Sequence, residues 1–212
     1  MTDTPAHISD NYKNLLNHLE SSKEYSEIKN SNLFVIELKY ATRENFMKEN
    51  AYGNFTRAFL HKLAYDKLVL AAEAIQKQKP GYKLLIYDAL RPRSAQRTLW
   101  KYVVGTPEQK YVANPDKGSI HNYGFAVDLT VIDEKGRPLD MGAGFDDFRE
   151  ISQPDQEQKY LANGQLTAAQ YGNRLLLRKA MVAAGYRTIS HEWWHFEAMP
   201  RDEVRAKFAI IE

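Results

Sequence analysis

The sequence predicts a single α+β domain. Three observations lead there. The chain has 212 residues, enough to bury about 70% of its unfolded surface around one core but not to build two large ones. Short β-rich runs and amphipathic helical stretches both occur. The links between them are too irregular in length for the strand–helix alternation of a doubly wound sheet. A central antiparallel sheet is expected to carry residues 125–130 and a strand containing His195, with helices over 57–79 and 166–184 packed on it.

The elements follow in chain order. Residues 1–10 read as a tail, and Leu15, Leu16 and Leu19 put a short helix within 11–29. We therefore divide the chain into a tail with a short helix (1–30) and a main domain (31–212). Leu33 to Tyr40 (LFVIELKY) is β-rich and reads as a strand, and 41–55 as a loop. From Arg57 to Lys79 an apolar stripe of Leu60, Leu63, Ala64, Leu68, Ala71, Ala72 and Ile75 predicts a helix, stopped by Pro80-Gly81. Tyr82 to Asp88 is a strand. Arg91-Pro92 turns the chain, and Ser94 is placed to cap a helix through Val103.

A polar loop over 104–120 precedes a strand from Phe125 to Ile132. There Phe125, Val127, Leu129 and Val131 share one face, and Ala126, Asp128 and Thr130 the other. After a turn at 134–137, residues 138–165 read as a long functional loop. Leu166 to Ala184 is a helix closed by Gly185, with short strands at 186–189 and 194–198.

Composition removes several classes of function. Lys+Arg (29) and Asp+Glu (27) nearly cancel, a balance too even to suggest a nucleic-acid wrap or a general membrane-surface binder. There is no cysteine, so any metal site must use His, Asp, Glu or main-chain oxygen. No apolar run approaches the length of a membrane span. A cytoplasmic location is expected, or a periplasmic one if a signal segment has been removed.

Two motifs bear on chemistry. His191-Glu-Trp-Trp-His195 matches H-E-x-x-H, which on a helix presents two imidazoles to zinc. Its setting is wrong for a helix: it follows the β-like YRTIS, lies just before Pro200 and holds two adjacent Trp. Upstream, His121 and Asp128 stand seven apart in SIHNYGFAVD, and Gly124 allows a turn between them. An Asp among Val127 and Leu129 is costly unless it is paired or bound to metal.

Together, Ser119-x-His121-x-x-Gly124-x-Ala126-x-Asp128 and Glu192-x-x-His195 resemble the D-Ala-D-Ala dipeptidases, zinc DD-peptidases that share a fold with the Hedgehog signalling domain. Similar blocks occur at Glu37–Phe46, Asp88–Pro92 (DALRP), Met141–Asp146 (MGAGFD) and Glu192–Phe196 (EWWHF). The resemblance implies one zinc per chain on His121, Asp128 and His195, with His191 left out. It implies Glu192 as general base and Arg91 as oxyanion stabiliser. It implies a small dipeptide as substrate, with Asp146 at its ammonium and Ser119 toward its carboxylate. Asp147, adjacent to Asp146, competes for the first role, and Trp193, Trp194 and Tyr123 are candidates for the pocket wall. Other readings are a D,D-carboxypeptidase or L,D-endopeptidase of the same fold, or a zinc-binding module without activity. The presence of both Glu192 and Arg91 favours catalysis.

Overall fold

The computed structural model describes the backbone of residues 6–212 and the side chains from Tyr12 onward. Its centre is a five-stranded mixed sheet in the order β2 (Phe34–Ile36), β4 (Lys83–Asp88), β5 (Ala126–Ile132), β7 (His195–Glu197) and β6 (Arg187–Thr188). The β4–β5, β5–β7 and β7–β6 pairs are antiparallel, whereas the edge strand β2 runs parallel to β4. Every residue of β5 is buried. This strand is covered on both faces, so its alternation separates apolar core from polar site rather than core from water.

α2 (Lys62–Gln78) and α5 (Ala168–Ala183) pack against each other. α2 turns Ala64, Leu68, Ala71, Ala72 and Ile75 inward, and α5 contributes Leu177, Ala180 and Met181. α5 opens on a capping box, in which Thr167 accepts from the Gln170 N–H and the Gln170 side chain accepts from the Thr167 N–H. Tyr12, Leu19 and Ile28 from the N-terminal part belong to the same apolar core as the sheet.

Several elements differ from the sequence reading. The predicted tail is helical from Ala6, since α1 spans Ala6–Ser21, and residues 1–5 lie outside the described residues. The helix expected within 11–29 ends early, and Tyr25–Ile28 forms β1. β1 pairs antiparallel with β3 (Ala58–His61), the stretch read as the first turn of α2. Leu60 is therefore a buried strand residue and Leu63 is exposed. His61 begins α2, its Nδ1 accepting from the Leu63 N–H. The strand expected over 33–40 shrinks to β2 and a 3-10 turn at Lys39–Ala41. α3 (Arg93–Val103) starts after Pro92 without a side-chain cap, so Ser94 lies inside it. The 138–165 loop contains a short helix, α4 (Glu157–Ala162), and α6 (Arg201–Lys207) follows the last strand.

Candidate metal centre and active site

Sheet register builds the site. Asp128 of β5 pairs with Asp88 of β4 on one side and with His195 of β7 on the other. Three polar residues therefore form a row across the three central strands. His121 arrives from a 3-10 turn, Ile120–Tyr123, immediately before β5. A capping interaction holds that turn: Ser119 Oγ accepts from the His121 N–H at 3.4 Å, and Asn122 Oδ1 accepts from the Ser119 N–H at 2.7 Å. Gly124 ends it at φ +73, where a Cβ would meet the His61 backbone nitrogen at 2.8 Å. Only glycine fits that approach.

His121, Asp128 and His195 converge and could hold a metal ion. His195 Nδ1 is 2.9 Å from Asp128 Oδ1, His121 Nε2 is 3.4 Å from that same oxygen, and the two ring nitrogens are 3.1 Å apart. All three side chains are buried. The outer nitrogens decide what the inner atoms are. His121 Nδ1 lies 2.7 Å from the Ala89 carbonyl, and His195 Nε2 lies 3.2 Å from Glu197 Oε1. Both partners only accept, so both outer nitrogens carry hydrogen. In neutral rings the inner atoms are then two lone pairs facing a carboxylate oxygen. Such an arrangement needs a proton or a metal cation among them. Two imidazoles and one carboxylate fit a catalytic zinc set that keeps a fourth position open.

The electrostatics agree. Burial works against the Asp128 charge, but His121 and His195 hold the carboxyl well below its usual range. Burial likewise opposes protonation of His195, yet its bonds to Asp128 and Glu197 push it up to about 10. The cluster attracts positive charge.

The other predicted residues lie as follows. The Glu192 carboxylate borders the cleft 3.9 Å from His195 Nδ1, and burial pushes its pKa up to about 8. Arg91 is buried on the cleft wall. Its Nε and Nη2 donate to Asp88 Oδ2 at 2.9 and 2.6 Å, its Nη1 donates to Gln96 Oε1 at 2.8 Å, and Nη2 is 3.7 Å from Asp128 Oδ2. The Tyr40 ring lies 4.7 Å from the guanidinium carbon. Asp146 reaches the cleft from a backbone at φ +58. Its carboxylate accepts from Tyr40 OH at 2.9 Å and from the Phe46 N–H at 3.2 Å, and burial raises its pKa to about 7. Asp147 is instead gripped by the Arg149 guanidinium and does not line the cleft. Ser119 lines the cleft beside His121. Trp194 forms part of the wall, whereas Trp193 and Tyr123 do not. The cleft, about 150 Å³, is small beside the roughly 300–1,000 Å³ of pockets for drug-sized ligands.

His191 is outside the three-residue cluster. Residues 191–194 are bend and turn rather than helix, so His191 and His195 share no helical face.

Gln96, Glu197 and Arg201 escaped the sequence reading, and Asp88 entered it only as a turn partner of Arg91. Asp88 anchors Arg91 and also accepts from Tyr52 OH. Gln96 braces the same guanidinium while donating to the Ala113 carbonyl. Glu197 and Arg201 form a fork behind His195. Asp88 had a signal in its position three before Arg91, and Glu197 in the i, i+2 alternation with His195.

The profile of a family described as D-ala-D-ala dipeptidase matches residues 31–209. Among curated relatives, the D-alanyl-D-alanine dipeptidase of Escherichia coli K12 is 42% identical over 163 residues, 76% of this chain and 77% of its own length. Those of Enterococcus faecium and Enterococcus faecalis are 29% and 27% identical, over 78% and 81% of this chain and 85% and 90% of their own. No helix among the described residues is long and apolar enough to cross a membrane. With the match extending from before β2 to beyond α6, the chain belongs to the D-Ala-D-Ala dipeptidase family of peptidases.

Proposed function

We propose that this protein is a zinc dipeptidase that hydrolyses free D-Ala-D-Ala to two molecules of D-Ala, with one zinc on His121, Asp128 and His195. One observation carries the reading: three inward-facing acceptors, 2.9–3.4 Å apart, share a small cleft with Glu192, Arg91 and Asp146. The names of the relatives supply the dipeptide.

When bound, zinc supplies Lewis acidity and makes water a nucleophile near neutral pH. The remaining work falls to the chain's own residues. Glu192 takes the proton of the attacking water and returns one to the leaving amine as the C–N bond breaks. Its pKa near 8 suits both directions of transfer. Arg91 meets the negative charge that develops on the carbonyl oxygen. Asp88 and Gln96 fix its guanidinium in place, so little reorganisation is needed at the transition state. Asp146 receives the substrate ammonium. Ser119 Oγ already accepts from the His121 N–H, which leaves its own O–H to donate toward the carboxylate end.

The test is release of D-Ala from D-Ala-D-Ala, with metal analysis of the same sample. Activity should vanish with a chelator and return with zinc. Metal-free protein of full activity would overturn the metal reading. Equal kcat/KM on D-Ala-D-Ala and on a cell-wall pentapeptide would replace the dipeptidase with a carboxypeptidase of the same fold.

A further inference from the structure

The proposed mechanism leaves one buried carboxylate of the cleft without a role. Glu197 lies two residues beyond His195 on β7, so the two side chains leave the same face of the strand. Its side chain is only 5% exposed. Oε1 accepts from His195 Nε2 at 3.2 Å. Arg201, the first residue of α6, closes a fork on the other side, its Nε 2.8 and 3.0 Å from the two oxygens and its Nη2 2.7 Å from Oε1. Val204, fully buried, anchors that short helix against the domain.

The two imidazoles of the cluster are thus held differently. His121 donates to a neutral backbone carbonyl, that of Ala89. His195 donates to a full carboxylate braced by a guanidinium. Asp128 faces His195 from the other side of the ring, so the ring sits between two acids. Each acid asks for a proton or a cation, and the geometry divides them. Glu197 takes the Nε2 hydrogen, which leaves Nδ1 and Asp128 to share whatever positive charge occupies the centre.

We propose that Glu197, held by Arg201, is a positioning residue for the metal. It selects the tautomer of His195 with hydrogen on Nε2, fixes the ring plane, and makes Nδ1 a stronger donor. Outer partners of this kind orient a metal-binding imidazole and raise its basicity. Arg201 keeps the added negative charge balanced, so that a second acid can sit beside Asp128 without forcing the strands apart. The role rests on the metal-site reading above.

Zinc affinity measured by competition with a chromogenic chelator tests it directly. Glu197→Ala should bind zinc about 10- to 100-fold more weakly than the wild type, the usual effect of losing such a partner. Glu197→Gln keeps an acceptor oxygen and should lose less than tenfold. Arg201→Ala should fall between them. At saturating zinc, KM for the dipeptide should be unchanged in all three. ¹⁵N shifts of His195 in zinc-loaded protein should show Nδ1 bound to metal and Nε2 protonated. A Glu197→Ala protein that binds zinc within twofold of wild type would overturn the proposal, as would Nε2 found as the metal-bound nitrogen. Should Glu197→Ala fail to fold, Glu197→Gln and Arg201→Ala still read the effect, and wild-type affinity in both would overturn it. Wild-type protein that binds no zinc would instead remove the metal reading itself.

Discussion

Replacing Asp146 by Asn separates recognition of the substrate's free amine from the chemistry. The carboxylate has two donors in the protein, Tyr40 OH and the Phe46 N–H. It lacks a cation of its own among the described residues. A substrate ammonium about 4 Å away, at an effective dielectric of about 20, is worth about 4 kcal/mol, and a hydrogen bond to a charged group about 1.5–3. Asp146→Asn should therefore cost about 2–4 kcal/mol, or roughly 30- to 1,000-fold in kcat/KM for D-Ala-D-Ala. N-acetyl-D-Ala-D-Ala has no ammonium to lose and should change little. The pH profile gives a second readout. Burial pushes Asp146 up to about 7, so kcat/KM, which reports the free enzyme, should fall below about pH 7 in the wild type. Glu192, with its pKa near 8, sets an acid limb of its own, so in Asp146→Asn the fall should become less steep rather than vanish.

Stability should move the opposite way. The folded carboxyl titrates near 7 and the ordinary one at 3.8. The folded state therefore holds an extra proton between these values, and stability falls as pH rises through that window. Above pH 7 the full cost is present, at most about 4 kcal/mol. Asp146→Asn removes it but pairs the two donors less well. A gain of about 1–3 kcal/mol at pH 8, several degrees in Tm, is expected, with little gain at pH 4. Equal losses on free and acetylated dipeptide, or lower stability at pH 8, would refute the assignment.

Four further substitutions test the remaining roles. Glu192→Gln should keep its zinc, by metal analysis, and lose about 10²–10⁴ in kcat, the worth of a general base; full activity would remove Glu192 from the mechanism. Arg91→Ala should lose about 10²–10³ in kcat with little change in KM. It should also lower Tm, because Asp88 is left buried without its cation. His121→Ala should lose most of its zinc, while His191→Ala should retain about one per chain; the reverse result would restore the helical H-E-x-x-H reading.

More of the candidate site than of the outer fold was legible in the sequence, for physical reasons. An acid between Val127 and Leu129 is legible because its burial demands compensation, and β5 is buried along its whole length. The start of α2 was misread because Leu60 and Leu63 match helical spacing. The pairing of Ala58–His61 with Tyr25–Ile28 decides otherwise, and that partner lies some thirty residues away. α6 has one buried apolar residue, Val204, in seven, too few for a periodic signal. The place of Asp88 beside the cluster comes from register, which sets Asp88, Asp128 and His195 in one row, and Glu197 acquires meaning only from its position beside His195 on β7. The ambiguity between Asp146 and Asp147 also needed the backbone. The positive φ at Asp146 sends the two carboxylates to different places, one to the cleft and one to Arg149.

That row also accounts for the charge of the cleft. Asp128, Asp146, Glu192 and Glu197 line one small cleft together with Arg91, Lys110, Arg201 and Arg205, and Asp88 stands behind the Arg91 guanidinium. Neither acid with a pKa raised to 7 or 8 belongs to the proposed metal set; they are Asp146, assigned to the ammonium, and Glu192, assigned to a moving proton. The acids held ionised are those with partners inside the protein, Asp128 by the two imidazoles and Glu197 by His195 and Arg201. On the proposed reading the substrate's own carboxylate points toward Ser119, where Arg205, also on the cleft wall, donates to the Gly118 carbonyl at 3.4 Å. On the same reading, a dipeptide with a free ammonium supplies Asp146 with a counter-ion, whereas an acylated one leaves that buried carboxylate without one.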